Sequence, residues 1–251
     1  MDSKVWKVLS VCLLGLAAAA VTLRSGVRLV RKETATATAR RTFVFVGDSI
    51  TEYAFNTSHD GFVAVIADRY GRRIDVYNRG YAGYNTRMVS KYVDEVLDGL
   101  PRRVDLFVLC LGANDARLPD APKPNAHVPL EEYRHNLGEI VTRLQRRGSG
   151  HIVVMTPPNV DPARSPVRRS EFTRTYVDAA EQVARDSRVP SIRLFDITDN
   201  DSLRDGVHLN SKGNRAVADS LLRLIEQQLP HLSARALPPQ LPEYFQLLPS
   251  P

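Results

Sequence analysis

Five short apolar runs, each followed by a stretch with helical spacing, constrain this 251-residue chain more than any other feature. The runs fall at 42–46, 74–78, 104–111, 151–156 and 191–195 and are rich in Val, Ile, Leu and Phe. Apolar residues recur at helical spacing over 62–70, 86–97, 130–147, 170–187 and 212–228. Within 130–147, Tyr133, Leu137, Ile140, Val141 and Leu144 form one apolar face, as a helix packed on a core requires. Gly148 and Gly150 then end that helix. Regular strand–helix alternation implies a parallel sheet covered on both faces, an α/β fold. The strands are apolar almost throughout, as doubly covered strands should be.

The first strand breaks off in Phe43-Val44-Phe45-Val46-Gly47-Asp48-Ser49-Ile50-Thr51. A tight turn at Gly47 puts Ser49 at the carboxyl end of that strand, the edge where open α/β sheets bind ligands. Alone, Ser49 reads more simply as a helix N-cap. Three other features change the balance. Gly80 follows the second strand, Asn114 follows the third, and Asp205-Gly206-Val207-His208 lies on the last loop. A turn glycine, a turn asparagine, a helix cap at Asp205 and a surface histidine are the plain readings of each. Together they supply the parts of covalent ester hydrolysis. Ser49 is the nucleophile, His208 the base, and Asp205, three residues earlier, orients the imidazole. The N–H groups of Ser49 and Gly80 and the side-chain amide of Asn114 are candidate oxyanion donors. Two proline-rich connections, 114–128 and 157–169, leave carboxyl ends of strands and are expected to wall the site.

These blocks resemble the GDSL or SGNH hydrolases. The likeness extends to the isoamyl-acetate-hydrolysing esterase branch through Arg79-Gly80-Tyr81-Ala82-Gly83-Tyr84-Asn85-Thr86-Arg87, Gly112-Ala113-Asn114-Asp115-Ala116, Val128-Pro129-Leu130-Glu131-Glu132-Tyr133 and Asp205-Gly206-Val207-His208-Leu209-Asn210. The resemblance covers about 42–229. It implies a flavodoxin-like three-layer α/β/α sandwich with a five-stranded parallel sheet. It implies a Ser49–His208–Asp205 triad, an oxyanion hole from Ser49, Gly80 and Asn114, and no metal or cofactor. The expected substrate is a small-molecule or lipid ester, with short-chain acetate-type esters favoured. Lysophospholipase or thioesterase activity and a catalytically silent module on the same fold are the alternatives.

Other chemistries lack their motifs. No G-x-S-x-G elbow, G-x-G-x-x-G or P-loop pattern occurs. Two cysteines, Cys12 and Cys110, exclude a disulfide framework and a zinc-thiolate site. Cys110 sits in an apolar run and reads as a core thiol. His59, His127, His135, His151 and His231 show no ligand spacing and read as surface residues. Asp48 and Asp115 read as carboxylates that brace loops.

The net charge of +6 is confined to the N-terminus. Residues 1–41 hold eight Lys or Arg and two acids; the remaining 26 basic residues balance 26 acidic ones. A formally neutral domain offers no basic face for nucleic acid. Residues 8–23 are uncharged and apolar, borderline for a bilayer-spanning helix. A membrane anchor is favoured, with a cleaved secretory signal and an organelle-targeting segment as rivals. The chain thus divides into an N-terminal segment and linker (1–41), a hydrolase domain (42–229) and a Pro-rich tail (230–251), in which Tyr244, Phe245, Leu247 and Leu248 could pack on the domain.

Overall fold

The computed structural model describes residues 41–122, 126–148 and 150–241. The expected N-terminal membrane segment and the aromatic end of the tail lie outside them. No helix among the described residues is long and apolar enough to cross a membrane.

Five strands form one parallel sheet: β1 (Arg41–Gly47), β2 (Ile74–Gly80), β3 (Leu106–Cys110), β4 (His151–Met155) and β5 (Ser191–Ile192). Their order is β2-β1-β3-β4-β5. The chain leaves β1 toward one edge and returns to add β3 on the other side. The carboxyl ends of β1 and β3 therefore flank the point where open α/β sheets part to bind ligands. The helices are α1 (Ser49–Glu52), α2 (Phe62–Arg69), α3 (Thr86–Lys91), α4 (Val93–Val96), α5 (Leu130–Arg146), α6 (Ser170–Asp186), α7 (Leu194–Ile197) and α8 (Ser211–Gln228).

The two-residue period of a strand sorts its side chains between the faces. Phe43 and Phe45 of β1, with Leu106 and Val108 of β3, pack under Phe62 and Ile66 of α2 and Leu221 and Ile225 of α8. Val44, Val46, Phe107 and Leu109 point the other way, against Val89, Val93, Leu137, Ile140, Val141 and Tyr176 on α3 to α6. The result is a three-layer α/β/α sandwich. Phe43 and Phe45 are fully buried, each contributing about 1.5–3 kcal/mol of apolar burial. The core continues past α8, where Leu232 and Leu237 are buried in the α2–α8 layer.

Three expected elements differ. The helix over 86–97 is two helices meeting at Tyr92, whose backbone opens to φ −110° and ψ 25°. Thr86, Val89, Ser90, Tyr92 and Val93 are weak helix formers, yet Val89, Val93 and Val96 still bury one face. The strand over 191–195 stops at Ile192, because Thr156 Oγ1 accepts the Leu194 N–H at 3.1 Å and turns the chain into α7. β2 is an edge strand, half-buried throughout rather than doubly covered.

Candidate active site

Asp48 follows β1 in an extended conformation and caps α1, its Oδ1 accepting the Ile50 N–H at 2.9 Å. The Asp48 carbonyl accepts from Thr51 and Glu52. Being first in the helix, the Ser49 N–H has no intrahelical acceptor. Ser49 itself is 8% exposed, at the floor of the surface. Gly47 is needed less for the turn than for space: a Cβ there would overlap Thr51 Oγ1 and the Cys110 carbonyl.

The last loop meets this turn from 159 positions away. His208 Nε2 lies 2.9 Å from Ser49 Oγ, and His208 Nδ1 lies 2.6 Å from Asp205 Oδ2. An ionised carboxylate only accepts, so Nδ1 carries the proton and Nε2 is free to accept from the serine hydroxyl. Asp205 Oδ1 accepts the backbone N–H groups of Val207 and His208 at 3.1 and 2.9 Å. Burial alone would raise the Asp205 pKa, but hydrogen bonds from the His208 backbone and ring outweigh it and hold the carboxyl below its usual range. Tyr53 meets the imidazole edge-on at 5.2 Å, and the Arg204 guanidinium lies 4.9 Å over the Tyr53 ring. A recess of about 10 Å³, lined by Ile50, Tyr53, His59, Arg204, His208, Leu209 and Asn214, adjoins the imidazole. That is room for about one water molecule.

Asn114 stands beyond β3. Its Nδ2 donates to the Tyr84 carbonyl at 2.8 Å, and its Oδ1 accepts from Arg168 Nη2 at 3.3 Å. One amide N–H is left over. Arg168 carried no motif to mark it in the sequence.

The Gly80 N–H has a partner within the fold. It donates to Asn78 Oδ1 at 2.8 Å, while Asn78 Nδ2 donates to the Thr51 carbonyl at 2.7 Å. The Asn78 side chain thus ties β2 to α1 and accepts the Gly80 N–H. A Cβ on Gly80 would overlap the Glu52 backbone. Close packing of β2 on α1 is reason enough for a glycine there.

Asp48 and Asp115 do brace loops, as expected. Asp115 Oδ1 accepts both the N–H and the hydroxyl of Thr86. Complete burial pushes the Asp48 carboxyl up to about 7 and that of Asp115 up to about 6. Cys110 is a buried free thiol, its pKa raised by burial. His151 and His231 are not isolated: their Nε2 atoms lie 3.0 Å apart, joining β4 to the turn after α8. Among the described residues, no group of three or more His, Cys, Asp or Glu could hold a metal ion. A concavity of about 430 Å³ between α5 and α6 is not lined by Ser49, Gly80, Asn114, Asp205 or His208.

The chain matches the GDSL-like Lipase/Acylhydrolase family over residues 45–216. It belongs to that family. It is 34% identical over 215 residues to a GDSL esterase/lipase of Arabidopsis thaliana, covering 75% of this chain and 87% of the relative. It is 33% identical over 207 residues to an isoamyl acetate-hydrolyzing esterase 1 homolog of Bos taurus, covering 74% and 82%. The fold is shared with a lipase/acylhydrolase from Enterococcus faecalis (TM-score 0.60, 24% identity, 80% of this chain and 100% of that one). It is shared too with an acetylxylan esterase from Geobacillus stearothermophilus (TM-score 0.60, 21% identity, 74% and 94%). This GDSL hydrolase is a carboxylic ester hydrolase.

Proposed function

We propose that this hydrolase cleaves short-chain carboxylic esters, of the acetate type, through Ser49, His208 and Asp205. The observation that carries the mechanism is the chain of contacts from Ser49 Oγ through His208 to Asp205 Oδ2, at 2.9 and 2.6 Å. Ser49 Oγ attacks the ester carbonyl as its proton passes to His208 Nε2, and Asp205 stabilises the imidazolium. The imidazolium then protonates the leaving oxygen, releasing the alcohol and an acyl group on Ser49. Water, deprotonated by His208, attacks that acyl group and releases the carboxylic acid. The oxyanion formed in each half would be met by the Ser49 N–H and the uncommitted N–H of Asn114. The Gly80 N–H would join them by giving up or sharing its bond to Asn78.

The relatives named for isoamyl acetate hydrolysis support a short ester. Tyr53 and Phe55, exposed on the turn after α1, favour a second reading in which a lipid ester or thioester is drawn from an apolar surface. Residues 1–41 would hold the enzyme at a membrane in either case. A series of esters of rising acyl length, run on the purified protein, separates the two. Turnover is expected to be highest on acetate and to fall as the acyl chain grows. A maximum on long acyl chains would overturn the short-ester reading, and turnover retained by Ser49→Ala would overturn the mechanism.

A further inference from the structure

We propose that Arg168 is a positioning residue for ester hydrolysis, clamping the Asn114 amide so that its one free N–H serves the oxyanion. The proposal rests on the reading of Asn114 as an oxyanion donor.

An asparagine amide has two ends of nearly equal size, and a half-turn about χ2 exchanges donor for acceptor. At Asn114 both ends are specified. The Tyr84 carbonyl can only accept, and it takes Nδ2 at 2.8 Å. The Arg168 guanidinium can only donate, and its Nη2 reaches Oδ1 at 3.3 Å. A flipped amide would set oxygen against oxygen and N–H against N–H. Arg168 Nη1 also donates to the carbonyl of Ala113. One guanidinium therefore holds both the backbone entering Asn114 and its side chain, from the loop before α6 and across 54 positions of sequence.

Burying a guanidinium is expensive unless its charge is met. Arg168 is 4% exposed. Burial, with Arg117 nearby, lowers its pKa to about 10, while Asp48, Asp205 and Asp115 pull the other way. Asp48 and Asp115 each keep a buried oxygen with no hydrogen-bond partner, as Arg168 does its Nε, so neither carboxyl ties up the guanidinium. Its planar fork spans two acceptors at once, which the point charge of a lysine cannot do.

Arg168→Lys and Arg168→Met, each alone and combined with Asn114→Ala, test the clamp. Arg168→Lys is expected to lower kcat at least about 10-fold with KM within about two-fold, because the oxyanion exists only beyond the ground state. In the Asn114→Ala background the same substitutions should cause no further loss, as residues acting through one contact are non-additive. A folded Arg168→Lys with normal kcat, or an equal loss in both backgrounds, would overturn the clamp. Asn114→Ala with unchanged kcat would instead remove Asn114 from the oxyanion hole. If both Arg168 variants fail to fold, the guanidinium ¹⁵N signals of Arg168 in the unaltered side chain decide. Resolved Nη signals that shift in Asn114→Ala uphold the clamp; signals averaged by rotation, or unmoved, overturn it.

Discussion

Asp205 holds His208 twice, through Oδ2 to the ring Nδ1 at 2.6 Å and through Oδ1 to the backbone N–H at 2.9 Å. The second bond sets the loop, and the first sets the tautomer. In Asp205→Asn the amide oxygen can keep only one of these roles at a time, and the imidazolium loses its counter-charge. The variant is expected to fold and to bind ester with little change in KM, while kcat falls roughly 100-fold or more. Steady-state kinetics on a soluble ester check this, and a normal kcat would take Asp205 out of the mechanism.

Asp48 makes stability depend on pH. Its folded pKa of about 7 lies above the ordinary 3.8, chiefly through burial. The folded chain therefore holds this proton more tightly than the unfolded one. Stability from the neutral carboxyl is fully present below about 4 and is lost as pH rises toward about 7. Asp48→Asn keeps the oxygen that caps α1 but cannot ionise. Its melting temperature relative to the unaltered chain should rise between pH 4 and pH 7. The span amounts to a few kcal/mol at most. A difference that stays flat across this range would mean that Asp48 is already ionised at low pH.

The parts of the fold that were legible are those set by side-chain periodicity. Phe43, Val44, Phe45 and Val46 spell a doubly covered strand, and Tyr133, Leu137, Ile140 and Leu144 spell a helix face, whatever packs on them. Within the candidate site, Ser49, Asn114 and Asp205–His208 stand in local motifs, and the fold brings Ser49, His208 and Asp205 into one chain of contacts. What was not legible depended on partners distant in sequence. Thr156 ends β5 by capturing the N–H of Leu194, 38 positions on. Asn78 takes the N–H of Gly80 because its other end is held by Thr51 on α1. Arg168 is one of several arginines in a proline-rich loop, and only the folded chain sets it against Asn114.

The start of β1 fixes where the hydrolase can be trimmed. Arg41 Nη1 lies 2.7 Å from Asp105 Oδ1, and the Thr42 N–H donates to Oδ2 at 2.9 Å, so the buried Asp105 is met from both residues. A chain beginning at Arg40 keeps both contacts and every site residue. It should hydrolyse a short soluble ester with the kcat of the full chain, as measured side by side. Arg41→Ala in that chain should lower stability by about 1 kcal/mol, since Arg41 is 40% exposed and its pairing is partly screened. Loss of activity in the trimmed chain would require residues 1–39 to contribute to catalysis.

The most direct test of the mechanism is the position of a fluorophosphonate adduct, mapped by peptide mass spectrometry on the full chain. The reagent reports a serine whose hydroxyl is activated as a nucleophile. A single adduct is expected on the peptide carrying Ser49, slowed in Asp205→Asn and absent in a folded Ser49→Ala. An adduct on any other residue, or continued labelling of Ser49→Ala, would contradict the assignment of Ser49 as the nucleophile.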